Sequence, residues 1–457
     1  MILTIDIVHI DPKRYLNLNL ARFWRRSLQG EESSGSISYL LTTSPIYLAV
    51  FLMRFSFAFT VVALQWLVPI AVDRGVISSA YPVMEMATGF FFGVLADRIG
   101  RKWIVVGGLL ASSLVTVSFT FTRSIVLLTL IHGLQGICAA AIVTSTLALV
   151  ADFARKSSRG REMGIYDFCT IAGYAIGFVF ALLLIDGRAS RSLEPFYAGA
   201  SIALIGAVVS AVALRDARLS SRATPFSLGE NLRRMSSDRV ALTLIPVWFV
   251  LMVIIGVFLT YTRELAEVTL GPSPHFPFFF GPGAAHFGAG STRLGILGVV
   301  VIIFVAILLG FTQSSFGTLS DRFGRGRIIL IGQASIFGLS SILGAMIFFN
   351  LNRFFVLPFV ALFAAGVLAF TPAALAELAD IAPETGRGAA MGLYSITVGA
   401  GTIFGPLAGG ALINEYGTST GLAAIFGIGA AITFIVLLFH LFWRIKGERI
   451  DPRRERG

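Results

Sequence analysis

The residues with the clearest capacity for chemistry are ionisable or polar groups set inside long apolar runs. Arg54 sits in the middle of one run and Glu85 in the middle of the next. An arginine near the centre of an apolar helix costs about 2.5 to 3.5 kcal/mol on insertion scales, so it demands a partner or water. At about 1.5 Å per residue, Arg54 lies about 12 Å from one end of its helix, and Glu85 about 16 Å from the same side on the helix that follows. An arginine side chain spans that difference, which makes Glu85 the candidate partner. Such a pair either binds an anionic or polar solute, or a proton, and breaks during a working cycle, or it is a structural salt bridge. The residues alone leave both open. Gln65 and Tyr81 are candidates for polar lining of the same site, with plain packing as the alternative.

His132 and Gln135 lie in the fourth apolar run. An imidazole titrates near neutral pH and can carry a coupled proton. A buried neutral histidine bonded to a backbone carbonyl is the competing reading. Asp152, Asp167, Glu377 and Asp380 fall near helix ends, where pairing with Arg101, Arg159 or Arg325 and a part in gating are expected. Cys138 and Cys169 lie inside apolar segments and read as small packing residues. No Gly-x4-Gly-Lys, no Gly-x-Ser-x-Gly and no His/Cys ligand spacing is present. The expectation is no catalytic residue, no metal and no cofactor, hence no enzyme and no ATP-driven pump.

These groups need apolar helices to position them. The chain is 56% hydrophobic and only 13% charged, outside the range of soluble domains, so the excess must face lipid. Runs long enough to cross about 30 Å of hydrocarbon recur along the sequence. Helices are predicted near 46–72, 77–96, 103–122, 124–150, 164–185 and 196–214, then 241–262, 294–316, 328–349, 354–378, 391–413 and 421–443. Outside Arg54, one side of the membrane receives only Arg74, Arg123, Arg188, Arg191, Arg263, Arg293 and Arg353 of the 36 basic residues. That asymmetry puts both termini in the cytoplasm, as an even number of crossings requires. It also accounts for the net charge of +11 without a nucleic-acid partner, for which no soluble basic domain with interleaved aromatics exists. Met1 to Ile10 lacks a basic leader and a small-residue cleavage site, so no removable signal peptide is expected.

The organisation that follows is a cytoplasmic tail at 1–45, six helices in 46–214, a basic linker at 215–240, six helices in 241–443 and a basic tail at 444–457. Residues 11–30 are amphipathic enough to lie on anionic headgroups, with a solvated tail as the alternative. Residues 266–293 hold four prolines and five phenylalanines, which suit either a lid over an outer vestibule or an ordinary apolar loop.

The two halves read as copies. Ala151-Asp152-Phe153-Ala154, then Arg159-Gly160 and Met163-Gly164, recurs as Ala379-Asp380-Ile381-Ala382, Arg387-Gly388 and Met391-Gly392 with unchanged internal spacing. Gly93-x3-Asp97-Arg98-x-Gly100-Arg101-Lys102 recurs as Gly317-x3-Asp321-Arg322-x-Gly324-Arg325. Two matches at nearly one offset argue for a duplicated six-helix unit with a solute path between the copies.

The Gly-x3-Asp-Arg-x-Gly-Arg-Lys loop, present twice, closely resembles the signature loop of the major facilitator superfamily. The resemblance implies an all-α membrane protein of twelve helices in two pseudo-symmetric bundles. It further implies a gating role for Asp97 and Asp321, in a cytoplasmic latch that favours the outward-facing state. His132-Gly-Leu-Gln135-Gly136 is similar to the family's Arg-x-x-Gln-Gly motif with histidine in the arginine position. Gly392-x8-Gly401-x3-Gly405-Pro406-x2-Gly409-Gly410 resembles the glycine-rich pattern of drug and metabolite antiporters, although it stands on the eleventh helix where theirs is on the fifth. On the fifth helix here, Gly164-x8-Gly173-x3-Gly177 keeps only its first part. Glu377 and Arg387-Gly388 resemble part of the sugar-porter pattern. Small residues at such spacing permit backbone contact and bending. The function implied is secondary transport of a small solute by rocking of the two bundles, coupled to protons, by a monomer in contact with membrane lipid. A receptor of the same fold that binds solute without moving it is the alternative. The identity of the solute does not follow from these motifs.

Overall fold

A computed structural model of the chain describes residues 33–153, 159–184, 193–215, 239–270, 316, 319–320, 322–381 and 387–450. All regular structure among these residues is helical. The first half contains α1 (Ser33–Leu67), α2 (Ala71–Ile99), α3 (Arg101–Ser118), α4 (Ile125–Phe153), α5 (Arg159–Leu184) and α6 (Glu194–Ala213). The second contains α7 (Arg239–Thr260), a short α8 (Thr262–Leu270), α9 (Arg325–Phe348), α10 (Arg353–Val367), α11 (Phe370–Ile381), α12 (Arg387–Tyr416) and α13 (Thr418–Ile450). "Inner" below denotes the side to which the charge count assigns both termini.

Ten spans among the described residues are long and apolar enough to cross a membrane, one of them, Phe355–Leu375, formed by α10 and α11 together. At 29 residues α2 is long enough as well, but Glu85 and its hydroxyl side chains leave it less apolar. Large apolar side chains cover the outside, with Leu114 72%, Val212 83% and Phe355 75% exposed. That surface is incompatible with water and suited to acyl chains. The protein is therefore an all-α, multi-pass membrane protein.

Each half has its own apolar core. Val50, Met53, Phe57, Leu109 and Ile142 form the first, and Leu244, Trp248, Ile336 and Phe370 the second. A third cluster at the outer end joins Ala71 of α2 to Val257, Tyr261, Ile413 and Phe426 of the second half. Within the first half α1 packs on α5 and α6, and α2 on α4; within the second α12 packs on α7 and α13. Across the halves, α2 lies along α12.

Four boundaries differ from expectation. Helix α1 starts at Ser33, well before the expected 46, because a polar turn can continue a helix beyond the hydrocarbon where water satisfies its first amides. For the same reason α13 runs to Ile450, into the expected tail. The first residues of the expected loop 266–293 are helical, as the end of α8. The single tenth helix expected over 354–378 is broken into α10 and α11. Pro372 has no N–H for the carbonyl four residues earlier, and at the break Ala369 N donates to Gly366 O at 3.1 Å, a tighter i to i+3 bond. The expected helix at 294–315, the linker core 216–238 and the amphipathic stretch 11–30 lie outside the described residues.

The duplicated loop motif is duplicated in backbone shape. Gly100, between α2 and α3, has φ +102°, and Gly324, before α9, has φ +89°. Side chains disfavour this region by about 1–3 kcal/mol. Gly100→Ala is expected to lower thermal stability in detergent by about that amount, whereas Gly107→Ala, whose added methyl meets nothing within 4 Å, is expected to be neutral or better. Equal melting temperatures for the two variants would contradict the strained turn.

Candidate functional site

The site is assembled where α1, α2 and α5 meet. Gly173 and Gly177 put α5 directly on α1: a Cβ at Gly173 would stand 2.6 Å from Phe51 O and 3.0 Å from Arg54 Cβ, and one at Gly177 2.6 Å from Phe55 O. At the inner end of the same pair of helices the Tyr47 hydroxyl donates to Glu162. On the other side Gly136 presses α4 onto α2 at Tyr81, where a Cβ would come within 2.2 Å of Tyr81 O. Two helices are thus drawn close enough to deliver side chains to Arg54.

Arg54 uses that proximity. Its Nη1 donates to Tyr81 Oη at 3.1 Å and to Tyr174 Oη at 3.0 Å, and its guanidinium stands 5.3 Å from the Tyr174 ring centre. Its Nη2 is 3.6 Å from Glu85 Oε1, with side-chain exposures of 12% and 26%. The pair is therefore partly reachable rather than sealed. Among the described residues the Nε of Arg54 is buried without a hydrogen-bond partner, so they do not saturate the cation. Phe57 closes the cluster, with its ring 4.2 Å from Tyr81 and 5.7 Å from Tyr174. The result is one cation and one carboxylate in an aromatic frame, able to bind a charged or aromatic solute through ionic, hydrogen-bonding and cation–π contacts.

The other candidates take different places. His132 is 2% exposed and lies behind the frame, its ring 5.7 Å from Phe57, 5.5 Å from Tyr81 and 5.8 Å from Phe119. Gln135 donates to Thr60 Oγ1 and Thr116 Oγ1, each at 3.1 Å, and so ties α4 to α1 and α3. The Nδ1 of His132 and the Oε1 of Gln135 are buried and neither closes a hydrogen bond. Gln65 is not beside Arg54. It sits at the outer end, where its amide contacts Leu259 O and Arg263 N of the second half.

Among the gating candidates, Arg101 is buried and donates to Ala148 O at 3.0 Å, clamping the start of α3 to the end of α4, and Lys102 Nζ is 5.5 Å from the Trp103 ring. Arg98 and Arg322 are exposed and Arg325 is half-buried. A Cβ at Gly93 would meet nothing within 4 Å among the described residues. The backbones of Asp97, Asp152, Asp380 and Arg387 lie in α2, α4, α11 and α12; their side chains, and the whole of Gly317 and Asp321, lie outside the description. On α12, Cβ atoms at Gly401, Gly405 and Gly409 would stand 2.5 Å from Met252 Cβ, 2.5 Å from Val253 O and 2.6 Å from the Tyr261 ring. With Pro406 they form the contact surface for α7.

Tyr174 is the member of the site that sequence reasoning missed. Its only signal is its place beside Gly173, which gains meaning once that glycine is known to touch α1 at Arg54.

A membrane bundle with ten candidate spans among the described residues and an intramembrane ion pair fits a class, the polytopic solute transporters. Comparison with known proteins agrees. The family model described as Major Facilitator Superfamily matches residues 37–316 and 275–457. Multidrug resistance protein 2 of Bacillus subtilis is 26% identical over 353 residues, 74% of this chain and 80% of that protein. Quinolone resistance protein NorA of Staphylococcus aureus is 22% identical, covering 80% and 87%. Among solved structures, the nucleoside transporter NupG superposes with TM-score 0.60 at 12% identity, over 87% of this chain and 98% of that one. A bacterial homolog of the human lysosomal transporter Spinster, inward-facing and unoccupied, gives 0.63 at 15%, over 89% and 97%. The chain belongs to the Major Facilitator Superfamily, and it is a membrane transporter rather than an enzyme.

Removing one member of a partly buried ion pair strands the other charge. Arg54→Met is expected to destabilise the protein by about 1–3 kcal/mol, discounted for partial exposure, and adding Glu85→Gln is expected to restore a good part of it. Thermal unfolding of the two single variants and the double variant in detergent measures this coupling, and strictly additive effects would show that the two residues do not interact.

Proposed function

We propose that the protein carries a small solute by alternating access of its two halves, and that proton binding at Glu85 is coupled to solute binding at Arg54. The observation that carries this reading is the Arg54–Glu85 pair, held at 3.6 Å in an aromatic frame and left partly exposed. While Glu85 is ionised it neutralises Arg54; a proton on Glu85 removes that neutralisation and leaves the guanidinium for another anion. Proton and solute thus act on one another through a single cation.

The sign of the coupling follows from the charge of the solute. An anionic solute takes the place of the Glu85 carboxylate at Arg54, so protonation favours its binding and the two move together. A cationic solute competes with the proton for Glu85, so the two exchange. Names of the relatives, multidrug and quinolone resistance, put drug-like aromatic solutes first among those to test, and the Phe57–Tyr81–Tyr174 frame suits a flat aromatic body. Asp97 and its counterpart Asp321 belong to the inner gate in this reading, with Gly93, Arg98, Gly100, Arg101, Lys102, Gly317, Arg322, Gly324 and Arg325 shaping the two loops.

Purified protein in liposomes tests the reading with a fluoroquinolone and a lipophilic cationic dye. Transport driven by a pH gradient is expected in the native protein and is expected to fall at least tenfold in Glu85→Gln, while exchange of labelled for unlabelled fluoroquinolone, whose carboxylate needs Arg54 rather than Glu85, persists at equal pH; exchange of the cationic dye, which needs the Glu85 carboxylate, is expected to fall as well. Uptake that ignores the gradient would remove proton coupling, and the absence of exchange for any bound solute would favour a receptor. Asp97→Asn is expected to slow both modes without reducing insertion; native rates in that variant would take Asp97 out of the gate.

A further inference from the structure

At the outer end the two halves are joined by a set of polar contacts that the transport site does not use. α7 and α8 are separated by a single bend at Tyr261. In a continuous helix Arg263 N would donate to Leu259 O, four residues back. Here the Gln65 side chain from α1 occupies that opened turn: its Nε2 donates to Leu259 O at 3.0 Å, and its Oε1 accepts from Arg263 N at 3.1 Å. One amide from the first half stands in for a missing backbone hydrogen bond in the second. Beside it Arg74, 3% exposed, pairs with Glu264, 13% exposed, and donates to Gln65 O at 3.3 Å. The Tyr261 hydroxyl lies 3.0 Å from Ala71 O across the seam and 2.7 Å from Pro406 O in its own half. Lower down, the Ser79 hydroxyl lies 2.6 Å from Gly75 O in its own helix and 3.1 Å from Ile403 O across the seam. On the inner half of α2, Phe91 is 59% and Val94 40% exposed.

We propose that Gln65, with the Arg74–Glu264 pair, is the outer gate. The gate opens when Gln65 withdraws and Leu259 O closes directly onto Arg263 N, turning α7 and α8 into one continuous helix. This rests on the alternating-access reading above. The chemistry makes the exchange easy: each backbone group released by Gln65 finds the other, and Tyr261 keeps Pro406 as acceptor when Ala71 departs. Buried polar groups at the moving elbow therefore have a partner in both states. Arg74 and Glu264 separate into an outward-open, hydrated cleft, where each charge is solvated.

Two measurements test the gate in a background with Cys138 and Cys169 replaced by alanine. In the first, Ser79→Cys reports access from outside to a membrane-impermeant maleimide. Gln65→Leu is expected to raise the labelling rate several-fold, with native-like elution and melting; a rate equal to that with Gln65 present overturns the proposal whether or not any solute is transported. In the second, Trp66→Cys and Arg263→Cys, whose native side chains meet across the seam at 5.8 Å, are joined by a short reducible bifunctional reagent. Transport of the fluoroquinolone or the dye is expected to fall at least tenfold on cross-linking and to return on reduction. Full-rate transport by the cross-linked protein overturns the gate and leaves the transport reading intact. This second arm does not depend on the folding of Gln65→Leu.

Discussion

A guanidinium inside hydrocarbon must be met by acceptors, and that requirement organises the first half of the molecule. Arg54 cannot reach water freely, so two helices, α2 and α5, converge on α1 to supply two phenol oxygens and a carboxylate. Convergence needs backbones that touch, and the touching points are glycines: Gly173 and Gly177 between α5 and α1, Gly136 between α4 and α2. Phe57, His132 and Phe119 then fill the space behind the polar cluster. Burial of a charge, close helix contact and an aromatic frame are thus one construction, because each is needed for the others to persist in a low dielectric.

The second half repeats the scaffold but not the charge. Gly173 meets Phe51 and Arg54, while Gly401 meets Phe249 and Met252 in the same arrangement. The duplicated unit has methionine where its copy has arginine. Helix contacts that serve packing are preserved at this position in both halves, and at this position the charge belongs to one. Packing symmetry and side-chain asymmetry are thus separable, since close helix contact depends on the glycines and charge on single side chains.

Helix α2 connects the parts. Its outer end contributes Ala71, Arg74 and Ser79 to the seam with the second half, its middle contributes Tyr81 and Glu85 to the ion pair, and its inner end turns at Gly100 into α3. Pro82 interrupts its hydrogen-bond ladder between seam and site. One helix thus carries contacts at the seam, at the ion pair and at the inner turn, so these three places share a single element.

How much of this could be read from the chain depends on which coordinate a residue's role requires. Apolar runs and the repeated Gly-x3-Asp-Arg-x-Gly-Arg loop made the helices and the family legible, because hydrophobicity acts locally and along one axis; the lopsided arginines supplied the expected inner and outer sides. The Arg54–Glu85 pair was legible for the same reason: depth in the membrane is counted in residues, and the cost of a lone charge requires a partner at matching depth. Azimuth and lateral neighbours are not written along the chain. Only the packed structure decided that Tyr174 completes the cluster, that His132 lies sealed behind Tyr81, that Pro372 divides the tenth helix, and that Gln65 crosses to Leu259 and Arg263 instead of facing Arg54. Each of these depends on which helix stands beside which and on the rotation of each about its own axis, and those are fixed by side-chain interlocking between segments far apart in sequence.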